Sequence, residues 1–126
     1  MSSKKTYYVL VIEDNHAHAE LLTDILDRHF SPIIVHIVDN INAADDFLKN
    51  NKYHIILTTS DLNGQSVVNN IKKIKQKYDH IPVIVITGSG NEALAAKIIK
   101  SGINEYLVKT RETMEDLPRI LGKYLK

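Results

Sequence analysis

Two hydrophobic periods alternate along this chain, and the alternation occurs five times. Short apolar runs rich in Ile and Val occupy residues 7–12, 33–38, 55–57, 82–86 and 106–108. Such near-continuous apolarity suits strands of a parallel sheet covered on both faces, because a strand with one wet face would alternate. The segments between the runs carry apolar residues at helical spacing. They are Leu21, Leu22, Ile25 and Leu26; Ala43, Ala44, Phe47 and Leu48; Val67, Val68, Ile71 and Ile74; Leu94, Ala95, Ile98 and Ile99; and Leu117, Ile120, Leu121 and Leu125. Ser101-Gly102 stops the fourth helix. Parallel strands need crossovers, and crossovers are right-handed, so five βα units in a row predict a doubly wound α/β sandwich with helices on both faces of one sheet. The prolines fit this reading. Pro82 heads the fourth strand, and Pro118 is placed near the start of the last helix, where a missing N–H costs least.

Length and charge narrow the class. With 126 residues, 44% of them hydrophobic, the chain is long enough for one core and short for two, so a single domain over residues 5–126 is expected. Sixteen basic residues against fifteen acidic give a formal charge of +1, a balance that favours neither nucleic acid nor an anionic membrane as partner. The run Lys72-Lys73-Ile74-Lys75-Gln76-Lys77 reads as the solvated face of a helix. The absence of cysteine excludes disulfides and thiolate metal sites. The first apolar run is about six residues long and is broken by Glu13 and Asp14, too short for a signal peptide or a membrane span. A cytoplasmic location is the expectation.

In sheets of this kind ligands bind outside the carboxyl ends of the strands, where the winding reverses. The residues at those ends are Glu13 and Asp14 after the first strand, Thr59 after the third, Thr87 after the fourth and Lys109 after the fifth. Two carboxylates suit a hard cation, a hydroxyl can bond a phosphoryl oxygen, and an ammonium can neutralise an anion. Taken singly, each has a plainer explanation. Asp14 or Asn15 can cap a helix, Thr87 can be a turn residue, and Tyr106 can be core. His16 and His18 lack the i, i+4 spacing of a helical zinc pair, and His54 reads as a solvated residue at the strand's entrance.

Taken together, these residues make the chain resemble the receiver domains of two-component response regulators. The resemblance rests on Val9-Leu10-Val11-Ile12-Glu13-Asp14-Asn15, on Pro82-Val83-Ile84-Val85-Ile86-Thr87, and on Ser101-Gly102-Ile103-Asn104-Glu105-Tyr106-Leu107-Val108-Lys109, in that order across essentially the whole chain. It implies a flavodoxin-like three-layer sandwich with a five-stranded parallel sheet in the order 2-1-3-4-5. It also implies a non-enzymatic signalling role in a phosphorelay. In that family an Asp ending the third strand takes a phosphoryl group from a histidine kinase with help from Mg²⁺. By resemblance, Glu13 and Asp14 match the metal-binding acids, Thr87 the switch hydroxyl, Lys109 the phosphoryl-binding lysine, and Tyr106 the aromatic that reorients on activation. Partners, a histidine kinase or another signalling protein, would meet the surface of the fourth helix, fifth strand and fifth helix, around Ala95, Ile99, Tyr106 and residues 110–117.

The acceptor position departs from the pattern. Gapless alignment of Tyr53-His54-Ile55-Ile56-Leu57-Thr58 places Thr59 where the Asp belongs. Sliding the strand by two residues to bring Asp61 there would draw Thr58 and Thr59 into its buried end. A hydroxyl needs a base to attack phosphorus, whereas a carboxylate is already charged. The expected protein is therefore an atypical receiver that signals without standard Asp phosphorylation, with a weakened Mg²⁺ site and Lys109 paired with Asp14. The alternative is a conventional receiver using Asp61. A third reading is a flavin or nucleotide carrier, with Thr87-Gly88-Ser89-Gly90-Asn91 cradling a phosphate. Two loops also differ from the pattern. Residues 62–67 lack the usual Pro and later Gly, and Thr110 replaces a Pro after Lys109, for which a trans bond and a shifted loop are expected.

Overall fold

The computed structural model describes residues 5–88 and 92–125, without the Glu92 side chain. In chain order the elements are β1 (Tyr7–Ile12), α1 (His16–Phe30), β2 (Ile33–Val38), α2 (Ile41–Asn50), β3 (Ile55–Thr58), β4 (Asp61–Leu62), β5 (Gln65–Ser66), α3 (Val68–Lys77), β6 (Val83–Thr87), α4 (Glu92–Lys100), β7 (Glu105–Val108) and α5 (Arg111–Leu121). Five strands pair in parallel in the order β2-β1-β3-β6-β7, which is the expected doubly wound order once the small β4–β5 ribbon is set aside.

The central strands are apolar throughout because both of their faces are covered. On one face Leu10, Ile12, Ile56, Val83 and Val85 meet Ala44, Leu48, Ile71, Ile74 and Ile98 from α2, α3 and α4. On the other, Val9, Val11, Ile55, Leu57, Ile84 and Ile86 meet Leu22, Leu26, Leu117 and Leu121 from α1 and α5. Each fully buried Val, Leu or Ile contributes about 1.5–3 kcal/mol of transfer free energy, so these two layers supply the main driving force. The helix starts are fixed locally. The side chains of Asn15, Asn40 and Thr110 accept from the backbone N–H of His18, Ala43 and Thr113.

The register determines what stands at the carboxyl end. Ile12 pairs with Thr58, Thr58 with Val85, and Thr87 with Val108. Glu13, Thr59, Thr87 and Lys109 therefore leave the sheet at one edge.

Several expectations need correction. Residues 61–66 form a hairpin, with Asn63 at φ 53° and Gly64 at φ 78°. Positive φ at both central positions is what an Asn-Gly turn provides, and Asn63-Gly64 between two short polar-flanked segments is its sequence signature. Pro118 lies inside α5, eighth of its eleven residues, because Thr110 caps the helix well upstream. Leu125 falls beyond the end of α5 yet is buried, and Val67 caps α3. Leu21 and Ile99 leave their apolar stripes and are exposed, Ile99 by 58%. Lys75 is no solvated lysine: its Nζ donates to the carbonyls of Asp79 and Ile81 at 3.1 and 2.9 Å, and burial holds its pKa below the usual value. His54 is half-buried between Tyr7 and Tyr8, and its Nδ1 accepts from the Tyr8 N–H at 3.0 Å. Burial, then the Lys5 charge, lowers its pKa.

Candidate functional site

The strand ends enclose a small cleft of about 230 Å³, lined by Glu13, Asp14, Thr59, Asp61, Gly88 and Lys109 among others. Its floor is an ion pair. Lys109 Nζ donates to Glu13 Oε1 at 2.7 Å, with the Glu13 side chain 4% exposed and that of Lys109 19%. The other Glu13 oxygen accepts from the Asn15 N–H at 3.2 Å. The lysine had been expected on Asp14. The two acids diverge instead: Glu13 turns into the sheet edge, while Asp14 is exposed and its Oδ2 accepts from the Asn63 N–H at 2.7 Å, bracing the hairpin turn.

Thr59 takes the central position. Its N–H donates to the Ile12 carbonyl at 3.1 Å, so it follows β3 level with Glu13. Thr58, Thr59 and Ser60 are all buried in this register. The burial of two threonines, an argument against sliding the strand toward Asp61, is thus already present without a slide. Asp61 opens the hairpin, exposed, and accepts from Ser60 Oγ at 3.3 Å.

Ser60 is the residue the sequence reading missed. Its hydroxyl lies 2.8 Å from Thr87 Oγ1 in a buried contact between side chains twenty-seven residues apart. The available signal was the run Thr58-Thr59-Ser60, three hydroxyls ending an otherwise apolar strand. The Lys109 N–H donates to the Thr87 carbonyl at 2.8 Å, tying β6 to the segment after β7. The Lys109–Thr110 peptide is trans, as expected, and Thr110 turns directly into the cap of α5. Tyr106 packs against the α2–α3–α4 side of the sheet with its hydroxyl buried and without a hydrogen-bond partner among the described residues. His18 Nε2 is likewise buried and without a hydrogen-bond partner among the described residues, and burial together with the Lys109 charge lowers its pKa. Ser89, Gly90 and Asn91 of the glycine-bearing loop lie outside the described residues.

Chemically, the three carboxylates that line the cleft, Glu13, Asp14 and Asp61, are each engaged by a neighbour. No group of three His, Cys, Asp or Glu side chains suited to a metal ion occurs among the described residues. Glu13 is committed to Lys109, and Asp14 to the hairpin. The donor set therefore does not fit a tightly held divalent cation, which would have to compete with an ammonium for its buried oxygen. Thr59 brings a hydroxyl to the cleft, and an alcohol attacks phosphorus only if a base takes its proton. Among the described residues no helix is long and apolar enough to cross a membrane.

Comparison with known proteins agrees with this architecture. A chemotaxis protein CheY homologue of Campylobacter jejuni is 25% identical over 118 residues, covering 86% of this chain and 90% of its own. The Mn²⁺-bound form of response regulator Rcp1 superposes with a TM-score of 0.82 at 26% identity, over 95% of each chain. The phosphorylated cyanobacterial phytochrome response regulator RcpA shares the fold with a TM-score of 0.86 at 21% identity, covering 97% of this chain and 96% of its own. Proteins of this kind are signalling modules of two-component systems that work with histidine kinases and other signalling proteins, and they generally bind Mg²⁺. The profile of the response regulator receiver domain matches residues 9–121, and the chain belongs to that family.

Proposed function

We propose that this receiver domain serves two-component signalling as an interaction module whose output does not depend on phosphorylation of an aspartate. The observation that carries the reading is Thr59, seated level with Glu13 at the end of β3, where the family's acceptor carboxylate would stand. The surroundings support it. Lys109, which by the resemblance would meet a phosphoryl oxygen, is paired with Glu13, and the Thr87 hydroxyl is bonded to Ser60. The groups that would answer a phosphoryl group thus hold one another, and Tyr106 already has its hydroxyl inside. Glu13 and Asp14 would hold Mg²⁺ weakly.

The partner surface on this reading is α4, β7 and α5, where Ile99 is 58% exposed beside Ala95, Tyr106 and residues 110–117. A histidine kinase or another signalling protein would meet it constitutively. A second reading uses Asp61 as acceptor, favoured by its exposure and its place in the same cleft.

Incubation with Mg²⁺ and beryllofluoride or a small phosphodonor, followed by amide NMR and intact mass, tests both. The expected result is no added mass and no saturable change at Thr59, Thr87 or Lys109. A change that Asp61→Asn abolishes would replace this reading with the second.

A further inference from the structure

The sheet has one open flank that the signalling face does not use. β2 is an edge strand of six residues, Ile-Ile-Val-His-Ile-Val, with no permanently charged side chain. Edge strands present unpaired N–H and C=O groups, and proteins blunt them with Lys, Pro or a bulge. This one is left apolar, with Ile34 40% and Ile37 46% exposed on its two faces.

A groove of about 420 Å³ runs along it. Its floor is Ile33, Val35 and Ile37, one face of the strand by alternation. Its wall is a stripe of α1, where Glu20, Asp24 and Asp27 recur at helical spacing. Glu20 and Ile37 also line a second cleft of about 490 Å³ that carries the acidic character on to Asp39. No lysine or arginine lines either cleft among the described residues. The charges are only partly met from the side: Arg28 lies 3.1 Å from Asp24, His16 lies 3.2 Å from Glu20, and Ser31 donates to Asp27. Both contacts to α1 carboxylates from Arg28 and His16 are exposed and therefore weak.

We infer that β2 is a docking edge for an extended cationic segment of a partner protein, which adds as a sixth strand. Strand addition satisfies the open backbone groups, and alternate side chains then read the two faces. On the α1 face, Lys or Arg at every second position would meet Glu20, Asp24 and Asp27. On the other face, apolar residues would cover Ile34. A second copy of this chain is a poor occupant. Antiparallel self-pairing of β2 about a two-fold axis normal to the sheet keeps both α1 helices on the same face and turns their carboxylate stripes toward each other.

The test uses the whole chain and an end-capped eight-residue peptide of alternating Lys and Val, with alternating Glu and Val as control. Titration at low salt, followed by anisotropy and amide NMR, is expected to show saturable binding of the cationic peptide alone. Shifts should map to β2 and α1, and the β2 amides that do not bond β1 should gain exchange protection. Asp24→Asn with Asp27→Asn should weaken binding about fivefold, the worth of two exposed ion pairs. Ile37→Lys, on an exposed side chain, should weaken it further while the spectrum stays folded. Equal shifts with spermine and no protection of β2 would overturn strand addition in favour of diffuse ion binding. Self-association abolished by Ile37→Lys would overturn the choice of occupant.

Discussion

Glu13 and Lys109 lie ninety-six residues apart in sequence and 2.7 Å apart in space, with the carboxylate nearly sealed from water. A buried pair of this kind adds little net stability, but losing one partner leaves a charge desolvated and unmatched. Lys109→Met is therefore expected to cost about 3–5 kcal/mol in urea denaturation, and Glu13→Gln with Lys109→Met should recover much of that loss. Tyr124 offers a pH probe. Burial first, then its hydrogen bond to Glu105, pushes the phenol up to about 12. A pKa raised in the folded state means that the protonated form is favoured there, so its stabilising effect is complete below pH 10, the ordinary tyrosine value, and is lost as pH rises toward 12. Stability should fall across that window, and Tyr124→Phe should flatten the fall in denaturant melts recorded from pH 9 to 12.

The β4–β5 hairpin is fixed by its own turn residues and by one contact from the first strand's end. Asn63 and Gly64 both take positive φ, and the Asn63 N–H is held by Asp14. A Cβ at position 64 meets nothing within 4 Å, so the penalty for a side chain there is conformational and not steric crowding by neighbours. Gly64→Ala should destabilise by about 1 kcal/mol, read from a thermal melt, with the rest of the amide spectrum unmoved. The helices were legible as elements because each carries an apolar stripe. Their ends were less so: the capping Thr110 moved the start of α5 upstream and left Pro118 within the helix. Pro118 removes one backbone donor, a local loss that the burial of Leu117 and Leu121 on the same helix outweighs.

At the scale of the molecule, the cleft exists only because parallel register brings four strand ends together. One substitution tests that assembly. Thr59→Asp adds a carboxylate beside Glu13 and Asp14, and Mg²⁺ affinity is expected to rise at least about tenfold in an NMR or calorimetric titration. Uptake of mass from a small phosphodonor should follow, since the carboxylate needs no base. An unchanged Mg²⁺ affinity would show that Lys109 keeps hold of Glu13 regardless.

Fold class, the five strands of the main sheet and the residues standing at their ends were readable in the chain. They depend on hydrophobic period, which is local and is set by which side chains must leave water. That an apolar run ends at Thr58 and Thr59 was legible for the same reason. What only the tertiary structure decided is who bonds whom across the cleft. Lys109 chose Glu13 over Asp14, and Ser60 found Thr87, because those partners come from different strands whose pairing offsets follow from packing the whole sheet. Period dictates which face a residue uses, whereas the distance between two such residues is a property of register.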